Sequence, residues 1–239
     1  MSDSPASWGL AAAIAAGTAA PIDYVDVPYP PDDIILTVPK DALKMPFPQA
    51  GGRVMRAPCS YKEQIQVAKS LGCCSAIIPW AKAIWLAAPI KQKPVELVAN
   101  LQQSLLMGTL EDLLRSEDLI DAQMASAMAS AGPDAWGRGA MKGWYIDLMM
   151  VEQGALTGAC NWGFVEPDKG PDHPDQSPGG RHLWSQIDYS QKLYDLVMRW
   201  ARRISDGSPV DLVELQCTKF PTLAARLRAE YGRAVLPAS

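Results

Sequence analysis

The chain has two histidines, His173 and His182, and both fall in or beside the segment 159–181, which also holds Cys160. Imidazole combined with carboxylate suits zinc, iron or manganese, so His173 and His182 with Asp172 and Asp175 form one candidate metal site, with Glu166 a further carboxylate nearby. The histidines are nine positions apart with four Pro or Gly residues between them, so the loop sets the geometry and the spacing is not diagnostic. A second candidate is thiol chemistry, with Cys160 as nucleophile, His182 as base and Asp188 or Asn161 orienting it. A histidine at a helix N-terminus has its cationic form disfavoured, which suits a neutral base. The text around the thiol, Gly158-Ala159-Cys160-Asn161-Trp162-Gly163, lacks the G-x-C-x-G elbow. No phosphate loop, dinucleotide fingerprint, H-E-x-x-H or EF-hand spacing occurs.

These residues define the alternative reading, a thiol-dependent or metal-dependent enzyme with its site at 159–188. The leading reading is a non-catalytic protein-protein interaction or assembly subunit with no cofactor. Its partners are other protein subunits or a second copy of itself, met through the N-terminal arm and the 159–181 loop. Eight Trp against three Phe agree with contact surfaces as well as with loop anchoring, because Trp joins a large rigid area to a polar tip.

The elements that must position these residues follow from composition and punctuation. The 239 residues are 48% hydrophobic and 20% charged with net charge −4, the composition of a globular chain with room for a core. An acidic balance without basic runs argues against nucleic acid as a partner. The apolar run Trp8–Ala16 follows no positive n-region, so it reads as no secretory leader. Residues 73–89 are too short, and interrupted by Pro79 and Lys82, to span a bilayer. Five cysteines without C-x-x-C spacing read as reduced thiols in a cytoplasmic protein, with Cys73 and Cys74 as small residues of a buried helix.

Nine of the twenty prolines lie in residues 1–58, which therefore read as an extended arm after a short helix within Ser7–Ala20, with one strand, Ile34–Val38. Residues 59–239 read as a helical domain interrupted at 159–181. Helices are expected after Ser60-x-x-Glu63 to Gly72, from Pro94 to Gly108, from Thr109-x-x-Asp112 to Gly132 with a break near Ser116, and from Pro133-Asp134 through the glycine-interrupted stretch 137–143. The strongest amphipathic pattern, His182–Asp206, carries Leu183, Ile187, Tyr194, Val197, Ala201 and Ile204 at spacings of three and four, with Asp188–Lys192 and Asp195–Arg199 as i,i+4 pairs. Val210–Cys217 alternates like a strand that could join Ile34–Val38, and Thr218–Tyr231 reads as a last helix. The expected fold is mainly α: a single-domain helical bundle or layered helical core with a Pro-rich extended arm and at most a small two-stranded sheet.

Overall fold

The computed structural model describes residues 9–59, 61–95, 109–146, 159–163, 165–173, 179–181, 193–194, 197–198 and 200–219. The N-terminal part runs α1 (Leu10–Ala15), β1 (Tyr24–Tyr29), β2 (Ile34–Pro39), β3 (Lys44–Phe47), β4 (Arg53–Arg56) and β5 (Pro58–Cys59). Then come α2 (Tyr61–Leu71), β6 (Cys74–Ser75), α3 (Ile78–Ala87), β7 (Ile90–Lys91), α4 (Leu110–Ala131), β8 (Gly137–Arg138) and β9 (Gly143–Ile146). The rest is β10 (Ala159–Trp162), β11 (Gly179–Arg181), β12 (Leu193–Tyr194), β13 (Val197–Met198), β14 (Trp200–Arg203), β15 (Pro209–Val210) and α5 (Leu212–Lys219).

This is a mixed α/β fold and corrects the expected helical bundle. Its main sheet is four-stranded and antiparallel, in the order β1-β2-β14-β15. The β-branched and leucine side chains of Ile34-Ile35-Leu36-Thr37-Val38 suit β2 to one of the two inner positions, with Ile34, Leu36 and Val38 fully buried. A 3-10 turn at Pro30–Asp32 and a left-handed Asp33 (φ 54°) return β1 to β2. The Asp33 carboxylate then accepts from Ser205 N at 3.1 Å and Ser205 Oγ at 2.6 Å, which fastens the β14–β15 turn to that hairpin. A three-stranded sheet, β11-β10-β9, and short pairs β12–β5, β13–β6, β3–β4 and parallel β7–β8 complete the strand pairing.

The proline-rich segment is not an extended arm. Leu10, Val27, Ile34, Leu36, Val38, Leu43, Phe47 and Met55 belong to one core cluster with Trp80, Ile84, Ala201 and Val213. Proline is disfavoured inside inner strands because it cannot donate to the ladder, but edge strands, the first positions of 3-10 turns, and a strand end such as Pro39 of β2, beyond the residues that β14 pairs, accept it. Pro28 lies on the edge strand β1, Pro46 in the two-stranded β3–β4 hairpin, and Pro30 and Pro48 open turns.

The amphipathic helix expected over His182–Asp206 is also corrected. Its described parts are β12, β13 and β14, and β14 pairs with β2 from Trp200↔Thr37 to Arg203↔Ile34. Within β14, Ala201 is buried and Arg203 exposed, whereas Ile204, assigned to the apolar face, is 43% exposed. The free hydrogen-bonding side of β2 decides the conformation against a pattern that also fits a helix. The two i,i+4 pairs, Asp188–Lys192 and Asp195–Arg199, and the interval 96–108 lie outside the described residues.

Val210 and Ile34–Val38 do share a sheet, with β14 between them. The strand stops at Val210 because Asp211 starts a helix: its Oδ1 accepts from Val213 N at 2.9 Å and Glu214 N at 3.2 Å. Only the first residues of the expected last helix are described, as the end of α5. After Gly132 the chain forms a turn and then β8 and β9 rather than a helix. By contrast α4 starts at the expected capping box, with Thr109 Oγ1 accepting from Asp112 N at 3.1 Å and Thr109 N donating to Asp112 Oδ2 at 3.0 Å. It continues unbroken through Ser116, whose hydroxyl bonds the Asp112 carbonyl. No helix among the described residues is long and apolar enough to cross a membrane.

Candidate functional site

A cavity of about 300 Å³ opens between residues 21–23, 40–44 and 133–137, with Arg56, Gln92 and Met124 beneath. Backbone bonds fix its first wall: Ala20 N donates to Lys44 O at 2.9 Å and Lys40 N to Asp23 O at 2.8 Å. The opposite wall is the turn after α4, leading into Trp136 and β8.

Arg56 forms the floor. Only 2% exposed, it donates through Nε and Nη2 to the two oxygens of Asp41 at 2.8 Å each, the bidentate arrangement that suits a guanidinium. Its Nη1 meets Asp121 Oδ1 at 2.9 Å and Glu117 Oε1 at 3.0 Å, so β4 is riveted to α4. Lys44 adds a 3.0 Å contact to Asp41. Burial pushes the Asp41 carboxyl up, but Arg56 and Lys44 outweigh it and hold it below the ordinary carboxylate value. Burial also raises Glu117, and there it wins over Arg56, with Asp121 adding in the same direction. Burial alone would lower Arg56, and the surrounding carboxylates raise it instead.

Arg138 braces the second wall. It stacks 4.8 Å over the Trp136 ring, and its Nη1 donates to Lys40 O at 2.6 Å and Gly137 O at 2.8 Å, with a further bond from Nη2 to Pro39 O. Burial brings its pKa down to about 10. Gln92 lies between these supports, 2% exposed, with its backbone N donating to Arg138 O at 2.8 Å. Its Nε2 has no acceptor among the described residues. Two glycines make room for this segment. A Cβ at Gly137 would lie 2.8 Å from Gln92 Cδ and 2.7 Å from Met124 Sδ. At Gly139, where φ is +117°, a Cβ would lie 2.4 Å from Gln92 O. Gly137 and Gly139 thus serve the close packing of extended chain rather than of a helix.

The cavity is mixed in character. Lys40, Lys44 and Arg56 share the lining with Asp23, Asp41 and Asp134, and Ile22, Leu43 and Trp136 add apolar surface. Arg56, Lys44 and Asp41 are already committed to one another.

The residues singled out from sequence lie elsewhere. Cys160 is on β10, its Cα paired with Tyr145 on β9 and Arg181 on β11. Asp172 is exposed and forms a 2.7 Å ion pair with Lys82 of α3, and His173 beside it is exposed. Asp175, His182 and Asp188 lie outside the described residues. Among the described residues no three His, Cys, Asp or Glu side chains are grouped to hold a metal. Cys59, Cys73 and Cys74 are buried, the last two in a loop and strand rather than a helix, and burial pushes the Cys74 thiol up.

Sequence reading missed Arg56, Glu117 and Gln92, yet Glu117 had a signal. It sits four residues after Leu113, three after Leu114 and three before Ile120, a charge on the apolar stripe of α4. A charge so placed calls for a buried partner. Gln92 gives no such signal, since its burial depends on glycines 45 and 47 positions away. Comparison of the chain with protein-family models, with curated proteins and with solved structures gave no match in any of the three.

Proposed function

We propose that this chain is a non-catalytic, cytoplasmic subunit of a protein assembly, and that it receives part of a partner protein, or of a second copy of itself, in the cavity walled by residues 21–23, 40–44 and 133–137. The observation that supports this is a recess of mixed lining, where Ile22, Leu43 and Trp136 stand beside Lys40, Asp23 and Asp134 over a floor fixed by the ion pairs of Arg56. Interfaces concentrate their energy where an anchor side chain enters a recess, and Ile22, Leu43 and Trp136 give this one the apolar surface such an anchor needs. The N-terminal residues keep the contact role, as a fixed wall instead of a flexible arm. The loop at 165–173, tied to α3 by Lys82–Asp172, supplies a second contact. A net charge of −4 favours protein over nucleic acid as the partner.

Ala135→Trp, which fills the recess from its rim, tests the reading. The native assembly, sized by sedimentation in extracts of the cells that make it, should fall to the free chain in the variant, whose circular dichroism stays that of the wild type. An assembly of unchanged size would remove the cavity from the interface.

A further inference from the structure

Resting on that reading of the cavity, we propose that it takes a carboxylate, received by the Gln92 amide and the Lys40 ammonium. Gln92 lines the cavity, is 2% exposed, and its Nε2 has no acceptor among the described residues. A buried donor is ordinarily paired, so this one marks a place for an acceptor oxygen from outside. The amide is held in position. Its backbone is bonded to Arg138, the next residue's N donates to Gln123 Oε1 at 2.7 Å, and Gly137 leaves open the space that the carboxamide occupies.

Of the three cations in the lining, Arg56 and Lys44 are engaged by Asp41, and Lys40 makes no ion pair with any described residue. A neutral amide donor plus one uncommitted ammonium matches a monoanion that accepts two hydrogen bonds. Asp23, Asp41 and Asp134 in the same lining disfavour a dianionic phosphate. Ile22, Leu43 and Trp136 add an apolar wall, so the carboxylate should carry an aliphatic neighbour. Two sources fit: the C-terminus of a partner chain, or a free short-chain acid.

The test follows the Gln92 side-chain amide signals by NMR in the full chain during titration with acetyl-Gly-Gly-Leu, its C-terminal amide, isovalerate and inorganic phosphate. The free-acid peptide should shift them saturably and the amidated peptide and phosphate should not. Lys40→Met, at a half-exposed position, should weaken the free acid by about tenfold or more. Gln92→Met, followed by calorimetry, should do the same, and Lys40→Met carries the test if that variant fails to fold. Isovalerate binding as well as the peptide assigns the site to a free acid, and binding of the peptide alone assigns it to a chain terminus. Equal binding of acid and amide, or a Lys40→Met affinity equal to wild type, overturns the proposal. If no carboxylate binds while Ala135→Trp still dissociates the assembly, the carboxylate is wrong and the binding cavity stands.

Discussion

Arg56 is met from two directions, by Asp41 ahead of β3 and by Glu117 and Asp121 on α4, and this sets what each substitution should do. Arg56→Met removes the countercharge from Glu117, which is 2% exposed, and should cost about 3–5 kcal/mol in urea unfolding. The double variant Arg56→Met, Glu117→Leu removes the stranded charge and should recover most of that loss. Equal stability of the single and double variants would show that Glu117 does not depend on Arg56. The pH dependence has two opposed parts. Asp41 has a depressed folded pKa, so its contribution is present above the unfolded value of about 3.9 and is lost as pH falls through the lower folded one. Glu117 has a raised folded pKa, so its contribution is full below about 4.3 and is lost as pH rises through the folded value. Urea midpoints measured against pH should therefore lose their acid limb in Asp41→Asn, and lose the decline on the other side in Glu117→Gln.

Among the elements, α4 was legible because its information is local. Thr109, Asp112 and Gly132 mark its ends within the helix itself, and Thr109→Ala should cost about 1 kcal/mol in urea unfolding by removing the capping box. The strand Ile34–Val38 was legible for a similar reason, its run of β-branched residues. By contrast, β14 is a strand only because β2 offers it a partner more than 160 positions away in sequence. Residues 197–204 satisfy helical spacing as readily as extended alternation, and nothing local separates the two. The glycines of 137–143 were noticed, but their reason lies in Gln92 and Val165, which spacing does not reveal. A contrast in thermal unfolding checks that reason. At Gly51 φ is +66° and a Cβ would meet nothing within 4 Å, so Gly51→Ala should cost about 1–2 kcal/mol from backbone strain. Gly139→Ala adds a clash with Gln92 O and should cost clearly more.

For the whole molecule, the residues set apart by their prolines are the ones that close the core. β2 is flanked by β1 and β14, so the amides of Leu36 and Val38 should be among the slowest to exchange with deuterium. Residues 24–59 should also resist limited proteolysis in the isolated chain, and rapid cutting there would contradict their place in the core. Residues 21–23 and 40–44 of the proline-rich region form one wall of the cavity, so the candidate site was half legible: the N-terminal region was marked, but as a free arm, because proline content shows what a segment cannot form and not what it packs against. The most direct test of the binding role places a photo-activated cross-linking residue at Asp134 on the cavity rim, with Val54 and Leu86, which are 49% and 60% exposed, as control positions. Position 134 should yield one defined protein adduct in the cells that make the chain, and Ala135→Trp should abolish it. No adduct at 134, or the same adduct from all three positions, would contradict the binding role.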